Sequence, residues 1–113
     1  MIQVYHNNRC GKSREALRLL ESAGKEFQII NYLENPPTFE ELEQLLVKLN
    51  YSPLELVRQK ESIWIENFKS KNLSDKEIIK ALVEFPQLIE RPILILENKA
   101  IVARTPERVT SFI

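Results

Sequence analysis

The sequence predicts an α/β fold with a small mixed sheet and a helical insertion between its second and third strands. Three observations carry this. Residues 2–5 (Ile-Gln-Val-Tyr) alternate as a half-buried strand does, and Glu15 to Ala23 carries an apolar helical face of Ala16, Leu17, Leu19, Leu20 and Ala23. The middle third holds short helical patterns and no strand candidate. The last third returns to strands, with Ile93–Leu96 and Ala100–Ala103 placed to form a hairpin.

In chain order, the first strand stops at Tyr5 and a polar loop, His6 to Arg14, leads into the first helix. Gly24 stands where a left-handed residue closes that helix, and Phe27 to Asn31 is the second strand. A strand, helix and strand connected this way form a parallel crossover unit. Asn35-Pro36-Pro37 bars continuation of either element. Thr38-Phe-Glu-Glu41 is a capping box, heading a helix whose stripe is Leu42, Leu45, Leu46 and Leu49. Ser52-Pro53 can start another short helix, and residues 54–70 scatter their apolar side chains at short helical spacing. Ser74-Asp-Lys-Glu77 is a second capping box, and Pro86 ends the helix it heads. After Arg91-Pro92 comes the hairpin, and Thr105 caps a last helix with Pro106 at its first position. The order β-α-β, helices, β-β-α is the thioredoxin-like arrangement, expected here as a single domain over residues 1–113 with its insertion at about 38–85.

Lys plus Arg equal Asp plus Glu at 16 each, so no global basic field exists for nucleic acid or an anionic membrane. No apolar run approaches the roughly 20 residues that span a bilayer. The opening lacks a secretory pattern, so the protein is expected in the cytoplasm, as a monomer. One cysteine allows no internal disulfide and no cysteine-based zinc cage, and a single histidine makes other transition-metal sites unpromising; no metal and no bound cofactor are expected. The two glycines, Gly11 and Gly24, make no nucleotide loop.

The only cysteine, Cys10, lies in the loop just before the first helix. Free amides and the positive end of the helix dipole converge there, which favours a thiolate and an oxyanion. Arg9, Lys12 and Arg14 add positive charge, with His6 a further candidate. A lone intracellular cysteine is usually a small buried hydrophobe. This one is flanked by Asn, Arg, Gly and Lys, in a segment too polar to bury easily, and the reactive reading is preferred. Cys10-Gly11-Lys12-Ser13 has the form of C-x-x-C with a hydroxyl for the second sulfur, so a cycle that oxidises Cys10 must take a thiol from outside.

Three arginines stand out by context. Arg58 is expected on a helical stretch beside Leu56 and Val57, Arg91 precedes Pro92 at the start of a strand, and Arg104 follows a strand and precedes a helix cap. In a thioredoxin-like fold the residue before the proline that opens the third strand lies beside the active cysteine, and that peptide bond is commonly cis, which makes Arg91-Pro92 the candidate. A guanidinium fork suits an oxygen-rich anion. The plainer alternative is pairing with surface carboxylates, Glu90 and Glu107 being the obvious partners.

The chain resembles the glutaredoxin-coupled arsenate reductase family. The family opening His-Asn-Pro-x-Cys-x-x-Ser-Arg is matched by His6, Asn7, Cys10, Ser13 and Arg14. Pro36-Pro37-Thr38 with Glu-x-Leu, Leu56-Val-Arg58-x-x-Glu61, Leu88-Ile-Glu-Arg91-Pro92-Ile and Arg104-x-Pro106-Glu107 follow in order. Asn8 stands where many members have proline, and Thr105 replaces the usual first proline of the last motif. The resemblance implies Cys10 as nucleophile and Arg58, Arg91 and Arg104 as ligands of the oxyanion. His6 resembles the family histidine that helps ionise the thiol, and Gly11, Lys12, Ser13 and Arg14 are expected to support the thiolate. It further implies arsenate or a similar oxyanion as substrate, with glutathione as external reductant and glutaredoxin as partner. Two other functions compete with this one: a monothiol oxidoreductase acting on glutathione mixed disulfides, and a regulator of the same superfamily that binds RNA polymerase. The regulators typically carry a C-x-x-C switch, which Ser13 removes.

Overall fold

A computed structural model describes all residues, 1–113. The chain forms two compact units, Met1–Asn35 with Arg91–Ile113, and Pro36–Glu90.

The first unit contains a four-stranded sheet in the order β2-β1-β3-β4, built from β1 (Ile2–Tyr5), β2 (Phe27–Ile30), β3 (Ile93–Leu96) and β4 (Lys99–Val102). β1 and β2 are parallel, with Ile2 opposite Phe27 and Tyr5 opposite Ile30; β1 and β3 are antiparallel, with Tyr5 opposite Ile93. β3 and β4 form the hairpin, with Ile93 opposite Val102, and Glu97 takes the positive φ of 58° that its tight turn requires. This is the thioredoxin-like arrangement. On one side, Ile2, Val4 and Leu94 of the sheet pack with Ala16 and Leu20 of helix α1 (Gly11–Ser22), Ala103, and Val109 of helix α5 (Pro106–Phe112). Gln3 is exposed, but Tyr5 on the same face of β1 is buried, and its ring stacks on that of the buried Tyr32 at 5.8 Å.

Helix α1 begins just after Cys10, at Gly11, five residues before Ala16, the first of its apolar stripe. The stripe marks only the buried face, whereas the polar turn Gly11–Arg14 is helical because the Cys10 carbonyl already accepts from the Arg14 N–H at 3.0 Å. Gly24 closes the helix with φ 69°, a conformation that a β-carbon would strain.

The second unit holds helices α2 (Phe39–Leu49), α3 (Ser62–Asn67) and α4 (Asp75–Glu84), with two short 3₁₀ turns at Pro53–Leu56 and Pro86–Leu88. Both expected capping boxes are present. Thr38 Oγ1 accepts from Glu41 N–H at 3.2 Å and Ser74 Oγ from Glu77 N–H at 3.3 Å, and each glutamate accepts the cap residue's own N–H at 2.9 Å. Leu42, Leu45, Leu46 and Leu49 of α2 are buried, as are Ile78, Ile79, Ala81 and Leu82 of α4. Residues 57–61 are not helical. Val57 forms an isolated antiparallel bridge with Ile89, so the stretch that carries Arg58 is extended and then turns. Short-spaced apolar residues there are buried by a single bridge, which sequence periodicity cannot tell from a helical turn.

Candidate active site

The register of the sheet brings three chain segments to one end of the first unit. β1 ends at Tyr5 and runs into the loop that carries Cys10, while Ile93, opposite Tyr5, is the first residue after Arg91-Pro92. Val102 lies opposite Ile93, and Ala103 N–H donates to Pro92 O at 2.9 Å, so Arg104 follows directly. The Arg91–Pro92 peptide bond is cis. Pro92 is buried, Arg91 is half-buried and Arg104 is exposed.

Cys10 is the N-cap residue of α1, with extended φ and ψ of −91° and 119°. It is half-buried and unbridged. Its own N–H donates to Asn7 O at 3.0 Å, and its side chain makes no capping bond. The amides of Gly11, Lys12 and Ser13 begin the helix, where no carbonyl one turn back exists to receive them. Arg14 folds back over this turn: its Nη1 donates to Asn8 O at 2.9 Å, and its Nη2 lies 3.7 Å from where a β-carbon on Gly11 would be. Cys10 thus sits at the N-terminal end of α1.

Ser13 anchors the loop from beneath. It is wholly buried, and its Oγ shares a 2.7 Å hydrogen bond with His6 Nδ1 and accepts from Asn7 N–H at 3.1 Å. Asn7 in turn receives Arg9 N–H on its side-chain oxygen at 3.0 Å. His6 is buried too, and desolvation holds its imidazole below the ordinary value of 6.5; a hydrogen bond to the Asn8 side chain pulls the other way, and the charge of Arg14 lowers it further. His6 is therefore mainly neutral at pH 7. Burial thus works against the positive charge for which His6 is a candidate, and its bond to Ser13 ties it to the loop.

Arg58, in the second unit, is held by two carboxylates. Its Nη1 donates to Glu61 Oε1, and its Nε lies 3.8 Å from Glu90 Oε1. The carboxylate pairing considered for the arginines is real at this one, with Glu90 as a partner. Its other partner is Glu61, three positions along in the Arg58-x-x-Glu61 spacing.

The profile of the ArsC family matches residues 5–112. The chain belongs to the ArsC family. Its similarity to other ArsC proteins runs end to end. It is 42% identical to Escherichia coli YfgD, a protein described as uncharacterized, over 99% of this chain and 96% of that one. It is 39% identical to an arsenate reductase of Haemophilus influenzae over 94% and 93% of the two chains. Among solved structures, an arsenate reductase from Vibrio cholerae superposes with a TM-score of 0.93 at 40% identity, covering 99% of this chain and 97% of that one.

Proposed function

We propose that this ArsC protein is an arsenate reductase dependent on glutathione and glutaredoxin. The observation that carries the reading is the half-buried Cys10 at the N-terminus of α1, the chain's only sulfur nucleophile, in a loop pinned by buried Ser13. The names of the relatives supply the substrate.

In this mechanism the Cys10 thiolate attacks arsenic(V), an oxygen of arsenate leaves as water, and an arseno-cysteine forms. Amides at the start of α1, with Arg91 and Arg104 of the same unit, hold the oxyanion and carry the charge that builds on its oxygens. Glutathione then attacks the intermediate, and glutaredoxin supplies the second thiol. The two thiols give up two electrons, taking arsenic(V) to arsenic(III), and leave as a disulfide while arsenite departs and Cys10 is regenerated. A chain with one cysteine cannot supply that second thiol itself.

Purified protein with arsenate, glutathione, glutaredoxin and glutathione reductase is expected to oxidise NADPH. Cys10→Ser is expected to abolish the turnover. Wild-type turnover no higher than that of the variant sinks the proposal. Turnover of a glutathione mixed disulfide, with none of arsenate, would make the protein a monothiol oxidoreductase instead.

A further inference from the structure

Within the Pro36–Glu90 unit, helices α2 and α4 pack side by side and leave an open groove on their outer side. They run antiparallel. Phe39, at the start of α2, lines the groove with Val83 near the end of α4, and Val47, near the end of α2, lines it with Asp75 at the start of α4. Glu43 and Lys76 border both stretches, so the groove is continuous over about three helical turns. Its two halves hold about 600 and 680 Å³, room for rows of side chains.

The two rims carry opposite charge. Glu40, Glu43 and Val47 recur at three- and four-residue spacing along α2, as Lys76, Lys80 and Val83 do along α4, so each set forms one row. Both carboxylates and both ammonium groups are exposed, and no ion pair joins them across the groove. The rows also expose apolar surface: Val47 is 80% exposed, and Phe39 and Val83 are half-buried. Such a surface is complementary to a helix pair that presents the same rows exchanged.

A second copy of this chain presents that pair. Half a turn about an axis lying along the groove sets one copy face to face with the other and exchanges the places of α2 and α4, while height along the groove is unchanged. Each α2 then lies over the α4 of the other copy. Because Glu43 and Lys76 border the groove at the same level, the acidic row meets the lysines in register, and Phe39 meets Val83. Asp75 and Glu84 flank the lysines at the ends of α4, so like charges meet only at the periphery, where solvent screens them. An axis crossing the groove would instead set carboxylates on carboxylates and lysines on lysines. Charge therefore selects the first axis.

We propose that the α2–α4 face is the contact surface of a two-fold homodimer, with the acidic helix of each copy seated on the basic helix of the other. This departs from the monomer that the sequence alone suggests, and it is independent of the arsenate reading. Exposed ion pairs contribute little to affinity, and two helix faces bury an area at the low end of stable interfaces, so the association is reversible and depends on concentration.

Sedimentation equilibrium tests this on the full chain, kept reduced so that Cys10 cannot cross-link two copies. The average mass is expected to rise with concentration from one chain toward two. The double variants Glu40→Lys with Glu43→Lys, and Lys76→Glu with Lys80→Glu, each oppose like charges in the dimer, and each is expected to weaken association about tenfold or more. Mixing the two restores opposite charge at both contacts, so the mixture is expected to associate where neither variant does alone, which also shows that both are folded. Val47→Ser is expected to weaken the dimer without any change of charge. A wild type that stays monomeric at every concentration, including one that captures a foreign amphipathic helix, overturns the proposal. So does a dimer that both charge variants leave intact, or a mixture that fails to associate.

Discussion

Ser13 does more for the Cys10 loop than its place in a C-x-x-S pattern suggests. Its hydroxyl is the only partner shared by His6 Nδ1 and the Asn7 N–H, and no water can reach it. Ser13→Ala leaves a buried imidazole nitrogen and a part-buried amide unpaired, and it is expected to cost about 1–3 kcal/mol in urea denaturation. A loss well under 1 kcal/mol would mean that the loop relaxes to find other partners. His6 offers a direct readout, since it is the single histidine and its ring resonances cannot be confused with any other. They are expected to titrate below 6.5, and Arg14→Gln, by removing a neighbouring cation, is expected to raise the midpoint. The sign of the stability effect follows. With the folded-state value lowered, the unfolded chain binds the proton more readily. The contribution is therefore complete above pH 6.5 and is lost as pH falls from there through the lowered folded value. None of this was legible in sequence, where His6 looked like a source of charge; burial, which periodicity around a loop does not report, reverses its role.

At the scale of elements, helix starts were the most legible features because the cap chemistry is local. Thr38-x-x-Glu41 and Ser74-x-x-Glu77 each close two orphan amides with side chains only three residues apart, so the sequence alone contains both partners. Thr38→Ala and Ser74→Ala are each expected to lower stability by about 1 kcal/mol, read as a shift of the denaturation midpoint at constant slope. Ser52→Ala should cost less, because there the Glu55 carboxylate accepts from both the Ser52 N–H at 2.9 Å and its hydroxyl at 3.1 Å, and the backbone bond survives the change. The segment after that turn was illegible for the opposite reason. Val57 is buried by a bridge to Ile89, thirty-two positions along the chain, and nothing near Arg58 announces a partner so distant. The cis bond at Arg91-Pro92 was anticipated from the fold and the proline together, not from the dipeptide alone.

Across the whole molecule, charge balance makes a prediction that separates local from long-range recognition. With 16 basic and 16 acidic residues, the protein has no net field to draw an anion from a distance. Under the proposed function, recognition must come from groups within contact range, the amides at the start of α1 foremost. Screening acts on charges separated by more than about 8–10 Å at moderate salt, and leaves contact pairs much less affected. Sodium chloride between low and moderate concentration is therefore expected to change kcat/KM for arsenate only slightly. Sodium sulfate at the same ionic strength is expected to inhibit competitively, because it offers the tetrahedral geometry of the proposed substrate, where chloride offers a sphere. The two salts should diverge further in wild type than in Arg91→Gln, which lacks one guanidinium of the proposed site. Equal inhibition by both would mean that attraction at a distance, from a local cluster of charge strong enough to overcome the molecule's neutrality, governs capture of the anion.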